Sequence, residues 1–241
     1  MYDLHCHYLP GIDDGPQILE EALELAALAV ANGITHSVVT PHIHLGRYEN
    51  DKASIDAVFS CFQQALQQNN IPLLLAYAGE VRLDIDILQL VSNNQIPFIG
   101  QLNAKNILLL EFPHSHIPPG AEKFIDWLMQ KDILPMIAHP ERNKDVMRNI
   151  NKLDTFINKG CLLQLTAGSV TGYFGERAEK ISKELLDSGN VTIIATDAHN
   201  KKNRPPILKE GLSAAKKVIG NKAYALVMDN PREITQGLFR D

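Results

Sequence analysis

Short runs rich in aliphatic and β-branched residues alternate with amphipathic runs along the whole chain, and no other feature constrains its fold as much. A strand followed by a helical crossover returns to the sheet pointing the same way, so such a chain pairs its strands in parallel. Strands are expected near residues 2–5, 37–40, 73–77, 107–111, 134–137, 162–165 and 191–195. Between the first two, Leu19, Leu23, Ala26 and Val30 recur at helical spacing, Glu20, Glu21 and Glu24 fall off that stripe, and Pro16 suits a first turn. Phe124, Trp127 and Leu128 repeat the pattern before the fifth strand, as do Ala178, Ile181 and Leu185 before the seventh. Asn230-Pro231 marks the start of a closing helix. The expected class is α/β, with helices packed around a (β/α) barrel.

At 241 residues and 45% hydrophobic content the chain can bury one large core, so a single domain over residues 1–241 is expected. Lys plus Arg number 23 against 28 Asp plus Glu, a net charge of -5 that offers no broad field for nucleic acid or an anionic membrane. Cys6, Cys61 and Cys161 make neither a disulfide framework nor a Cys-x-x-Cys knuckle, which points to a reducing, cytoplasmic setting. The start of the chain carries no export-signal pattern, and no apolar run approaches membrane-spanning length, so no membrane insertion is expected.

The residues able to bind metal sit where the strands end. His5 and His7 close the first expected strand, His42 follows the second, Glu80 the third, Glu111 the fourth, His139 the fifth, and Asp197 and His199 the seventh. Parallel strands in a barrel share one C-terminal face, so residues far apart in sequence converge there. Asp14, in the turn after the first strand, can join them. Imidazole and carboxylate donors without thiolates suit Mn, Fe or Zn in a hydrolytic site, and five histidines with four carboxylates exceed what one tetrahedral ion needs. Two or three divalent ions are therefore expected. In His5-Cys6-His7 the strand alternation aims both imidazoles one way and Cys6 the other, toward packing. His36 is expected to be structural, and His44, His114 and His116 to line loops.

His5-Cys6-His7, residues 9–15 (Leu-Pro-Gly-Ile-Asp-Asp-Gly), Thr40-Pro41-His42, Ala78-Gly79-Glu80, Ile137-Ala138-His139 and Thr196-Asp197-Ala198-His199 resemble the successive motifs of the polymerase-and-histidinol-phosphatase (PHP) superfamily. The Asp-Asp-Gly turn, His139-Pro140-Glu141-Arg142 and Arg204-Pro205-Pro206 narrow the resemblance to the manganese-dependent protein-tyrosine phosphatases of capsule and exopolysaccharide synthesis, the CpsB/CapC type. That resemblance implies a distorted (β/α)7 TIM-like barrel, the PHP fold, with three metals. It implies one ion on His5, His7, Glu80 and Asp197, a second on Asp14, His42 and His199, and a third on Glu111 and His139, with Glu80 bridging. It implies that Arg142 and Arg204 clasp phosphoryl oxygens, and that the substrates are phosphotyrosines on a bacterial tyrosine kinase tail. After His42 this chain carries Ile43-His44-Leu45-Gly46-Arg47, where some relatives carry a basic run.

Phosphomonoester hydrolysis needs a nucleophile at neutral pH and a clamp for negative charge. Clustered cations supply both through a bridging hydroxide and contact with phosphoryl oxygens, and arginines add planar bidentate donors. A phenolate leaves readily and demands little of a general acid, for which Asp197 and His199 are the candidates. The cysteine route is closed, because Ile12, Gln67 and Ala167 stand where a Cys-x5-Arg motif needs arginine. Arg47-Tyr48, residues 113–119 and residues 172–177 are the loops expected to read the substrate, with Arg47, Tyr48 and Phe174 as contacts. Alternative readings are a small-molecule phosphatase such as a histidinol-phosphate phosphatase, an amidohydrolase-type barrel, and a non-catalytic metal-binding regulatory module.

Overall fold

A computed structural model describes residues 1–239. Its strands are β1 (Tyr2–Cys6), β2 (His36–Val39), β3 (His42–Ile43), β4 (Leu74–Tyr77), β5 (Glu80–Arg82), β6 (Gln101–Leu102), β7 (Lys105–Glu111), β8 (Ile133–Ala138), β9 (Leu162–Thr166) and β10 (Ile193–Ala195). All seven expected strands form, each bound within two residues of its expected place. The three additional strands are two or three residues long, too short for any periodic signal. The helices are α1 (Leu19–Ala31), α2 (Lys52–Gln68), α3 (Ile87–Ser92), α4 (Ala121–Met129), α5 (Lys144–Arg148), α6 (Asp154–Asn158), α7 (Ala167–Val170), α8 (Glu176–Asp187), α9 (Leu208–Ile219) and α10 (Asp229–Ile234).

The strands form two mainly parallel sheets. One runs β1-β2-β4 and the other β10-β9-β8-β7-β5-β3, with β6 folded antiparallel onto β7. Two breaks create this division: Thr40-Pro41 separates β2 from β3, and Ala78-Gly79 separates β4 from β5. Before the breaks β2 and β4 pair with each other, and beyond them β3 pairs with β5 while β5 takes β7 as its second neighbour. Proline lacks the N–H that would carry a ladder through position 41. Gly79 is needed for close packing, since a Cβ there would lie 2.5 Å from Cδ1 of Ile43. At the far ends, Asp197 N–H donates to His5 O and His7 N–H to Ala198 O, both at 2.8 Å, so β1 is tied to the segment leaving β10.

Alternation along the strands divides the core. Ile107, Leu109, Met136 and Ile193 join one buried cluster on one face, while Leu108, Leu110, Ile137 and Ile194 join the larger cluster on the helix side. Helix α1 departs from its expected stripe. It buries Ala22, Leu25, Ala26 and Ala29, leaves Leu19 exposed and Leu23 and Val30 half-buried, and begins three residues after Pro16. Its buried face is therefore mostly alanine, with Leu25 the one large side chain on it. The other stripes pack as expected, with Ile125 and Leu128 buried in α4, Phe124 and Trp127 half-buried beside them, and Ala178, Ile181 and Leu185 buried in α8. Asn230-Pro231 lies in the first turn of α10. Among the described residues no helix is long and apolar enough to cross a membrane.

Candidate metal centre

The strand ends, with Asp14 from the turn after β1, bring the nine expected ligands to one locality. His5 and His7 come from β1 and the residue just past it, His42 and Glu80 open β3 and β5, Glu111 closes β7, His139 follows β8, and Asp197 and His199 follow β10. Three overlapping groups have donor atoms close enough for an ion: His5, His7, Glu80 and Asp197; His7, Asp14, His42 and His199; and His42, Glu80 and Glu111. His139 joins through Glu80, its Nε2 lying 2.8 Å from Oε1.

The first group is completely buried and has the spacing of a coordination shell. His5 Nε2 lies 3.2 Å from Glu80 Oε2, 3.3 Å from Asp197 Oδ1 and 3.3 Å from His7 Nε2. His7 Nε2 lies 3.3 Å from Glu80 Oε2 and 3.4 Å from Asp197 Oδ1. Four donors at tetrahedral corners about 2.0–2.1 Å from an ion stand about 3.3–3.4 Å apart. Glu80 Oε2, Asp197 Oδ1 and His199 Nε2 are buried without any hydrogen bond. A buried anionic oxygen left so costs several kcal/mol unless a cation meets it, on the order of the charged-group penalty. The donor set therefore fits divalent ions.

Neighbouring groups aim the imidazoles. His5 Nδ1 donates to Gln164 Oε1 at 2.9 Å and His7 Nδ1 to Asp13 Oδ2 at 2.6 Å, which aims each Nε2 at the centre. Asp13 also accepts from the backbone of Gly15 and His42, and against its burial the charge of His7 holds its carboxyl below the usual range. His199 Nδ1 lies 3.0 Å from the carbonyl of Asp197 while Nε2 faces Asp14 Oδ1 at 3.2 Å. Burial, then the charge of His7, pushes His199 down to about 4, so it is neutral at pH 7. His42 lies between Glu80, 3.0 Å from Nδ1, and Asp14, 3.3 Å from Nε2. Burial opposes its charge, but these carboxylates push it up to about 10. Tyr48 stacks on His42 at 5.5 Å, and the Arg47 guanidinium lies 5.0 Å over Tyr48.

Asp197 joins this centre to an anion clasp. Its Oδ1 faces His5 and His7, and its Oδ2 accepts from both the Arg142 and Arg204 guanidiniums. Burial works against its charge, yet Arg204, His5 and Arg142 hold its carboxyl well below the carboxylate range. Asp197 is thus an anion at neutral pH, and neither it nor neutral His199 is charged as a proton donor. His139 and Asp197 both have left-handed backbones, φ 33° and 52°, a conformation that costs a non-glycine residue roughly 1–2 kcal/mol. A cleft of about 240 Å³ opens over the centre, lined by Asp14, His42, Glu111 and His139 together with Arg47, Tyr48, Arg82, Arg142 and Arg204.

Some placements differ from expectation. Glu111 is grouped with His42 and Glu80 rather than with His139, and its Oε2 accepts from Arg82 at 2.7 Å, because Arg82 and Glu111 are register partners on β5 and β7. Phe174 is off the cleft lining, its ring against Arg142. Asp13, Gln164 and Arg82 were not anticipated. A polar Gln164 amid Leu162, Leu163 and Leu165 is the one signal that could have marked its role. The remaining histidines behave as expected: His36 stacks on Tyr2 at 4.2 Å, while His44 and His114 line the cleft from loop segments. Cys6 is buried, its thiol 3.6 Å from the Val38 carbonyl and pushed well up by burial.

Comparison with known proteins gives one consistent answer. The family described as capsular polysaccharide synthesis, CpsB/CapC, matches residues 1–236. The chain is 33% identical over 242 residues to the tyrosine-protein phosphatase YwqE of Bacillus subtilis (strain 168), covering 100% of this chain and 94% of that one. It is 36% identical over 210 residues to the putative tyrosine-protein phosphatase CapC of Staphylococcus aureus, covering 87% and 81%. A crystal structure from work on YwqE of Bacillus subtilis and CpsB of Streptococcus pneumoniae, described as unique metal-dependent tyrosine phosphatases, superposes with a TM-score of 0.90 at 32% identity, covering 100% and 97%.

Proposed function

The chain belongs to the CpsB/CapC family of capsular polysaccharide synthesis, and from that membership we propose that it is a metal-dependent protein-tyrosine phosphatase working at the β-strand C-termini of a single domain. The parallel pairing and the ties between β1 and the segment after β10 support a distorted seven-stranded (β/α) barrel, with β2/β3 and β4/β5 each counted as one interrupted strand. The ions are divalent, three in number and manganese in the cell. His5, His7, Glu80 and Asp197 hold one and Asp14, His42 and His199 a second. Glu111 and Glu80 hold the third beside His42, and His139 reaches it through Glu80. The observation that carries the reading is the 3.2–3.4 Å spacing of the donor atoms of His5, His7, Glu80 and Asp197, with Glu80 Oε2 and Asp197 Oδ1 buried and facing only imidazole nitrogens.

Ions bound there supply an acidified solvent nucleophile and positive charge for the phosphoryl oxygens. The protein's own part is to place the ester. Arg142 and Arg204, each about one-fifth exposed at the cleft, clasp phosphoryl oxygens through planar donors already aligned by Asp197. Arg47 and Tyr48 form the wall that the phenyl ring and flanking residues meet. The ionised Asp197 and neutral His199 suit a phenolate, which departs with little help from an acid. The substrate is a phosphotyrosine protein, the tail of a bacterial tyrosine kinase of polysaccharide export, and the reaction is cytoplasmic.

Metal analysis of the purified protein, followed by turnover of a phosphotyrosine peptide, p-nitrophenyl phosphate, histidinol phosphate and single-stranded DNA, tests the proposal. Bound divalent metal, preference for the phosphotyrosine peptide, loss of turnover on chelation and recovery with Mn²⁺ are expected. A higher kcat/KM for histidinol phosphate identifies a small-molecule phosphatase, and bound metal without turnover identifies an idle module.

A further inference from the structure

The turn between α7 and α8, residues 171–175, reaches both arginines from behind the cleft. The face of Phe174 lies 4.9 Å from Cζ of Arg142. Tyr173 meets Phe174 edge-on, with centroids 5.7 Å apart and planes at 87°. The Tyr173 hydroxyl then donates to the Lys202 carbonyl at 2.6 Å. Lys202 belongs to a loop wound around Asn200, whose Oδ1 accepts the backbone N–H groups of Lys202, Asn203 and Arg204. One aromatic pair thus touches the first arginine and ties down the loop that carries the second. Gly168 makes room for it, because a Cβ at that position would stand 2.6 Å from Cε2 of Phe174.

The two guanidiniums converge on a single oxygen of Asp197, so like charges are held close together before any substrate arrives. An aromatic face offers one of them negative quadrupole charge without competing for its N–H donors. The tether from Tyr173 does the same work for the other by fixing backbone. From this geometry, and resting on the phosphatase reading, we infer that Phe174 and Tyr173 are positioning residues that preset Arg142 and Arg204 to receive a tetrahedral oxyanion, neither of them touching it.

The test uses metal-loaded enzyme with inorganic phosphate as inhibitor of p-nitrophenyl phosphate turnover, together with the NMR resonance of the Arg142 Nε–H group. Phe174→Leu is expected to weaken phosphate inhibition and raise KM about three- to tenfold. Metal content should not change, and the Arg142 resonance should move as the ring current is lost. Phe174→Tyr should restore both readouts to within about twofold, since it keeps the ring face. Gly168→Ala, which displaces the ring without removing it, should behave like Phe174→Leu. Tyr173→Phe should weaken phosphate about two- to threefold while leaving the Arg142 resonance in place, as loss of one hydrogen bond implies. Normal phosphate inhibition in Phe174→Leu overturns the inference, and so does equal impairment in Phe174→Leu and Phe174→Tyr, which reports bulk alone. Wild-type protein that holds metal yet neither turns over nor binds phosphate defeats the phosphatase reading itself, an outcome separate from an active enzyme indifferent to Phe174.

Discussion

Asp13 shows how much of the centre depends on residues that touch no ion. It accepts from His7 Nδ1 at 2.6 Å and from the backbone of His42 at 3.1 Å, so one carboxylate orients two ligands. Asp13→Asn keeps the shape and removes the charge, and is expected to lower metal affinity about 10–100-fold with the fold intact. A competition titration against a chromophoric chelator measures it, and an unchanged affinity would remove Asp13 from the design. His42 yields a pH dependence in chelator-treated protein. Its pKa of about 10 lies above the unfolded value of 6.5, raised by Glu80 and Asp14 against the effect of burial. The stabilisation it contributes is therefore complete below pH 6.5 and is lost as pH rises toward 10. The thermal midpoint of metal-free protein should fall from pH 7 to 9, and His42→Gln should flatten that slope. At this scale the sequence was legible where a residue's chemistry is unusual for its place, as with histidines at strand ends. Grouping was not, since whether Glu111 faces His139 or His42 depends on strand rotation and on the competing Arg82.

Among the elements, α2 carries its own punctuation. Asp51 accepts from Ser54 N–H at 2.9 Å and the Ser54 hydroxyl accepts from Asp51 N–H at 2.9 Å, a reciprocal capping box. Asp51→Ala should cost about 1 kcal/mol, read as a lowered urea midpoint with unaltered slope. No change would mean that the first turn is held by packing alone. Long strands such as β7 and β8 were readable because each carries a continuous apolar run with successive residues buried, as a strand covered on both faces does. β3 and β5 were not, because two or three residues carry no period, and their pairing follows from breaks at Pro41 and Gly79. The error in α1 has a similar origin: alanines counted for little beside leucines in the pattern, yet with Leu25 they form the buried face.

For the molecule as a whole, the tie between its two ends depends on Asp3, which lies 193 positions from its main partner. Its carboxylate accepts from Thr196 N–H at 2.9 Å and from the Thr196 hydroxyl at 2.5 Å, joining the first strand to the exit of the last. Burial pushes its pKa up to about 6, and the bonds from Thr196 limit that rise. Asp3→Ala strands those buried donors and should destabilise the protein by about 2–5 kcal/mol, measured by urea unfolding with metal removed. A midpoint within error of wild type would show that packing alone holds β1 to the segment after β10. Repeated β and α segments announced the architecture in advance, whereas this long-range clasp leaves no local trace. The interruptions at Thr40-Pro41 and Ala78-Gly79 have one more consequence. His42 and Glu80 ride on short stubs that pair with each other and, through β5, with β7, which places them in the same sheet as Glu111. His5, His7 and Asp14 arrive from β1 and the turn after it, in the other sheet, so the spacing of the donors is set at the seam between the two sheets, and a slip of one against the other would pull them apart.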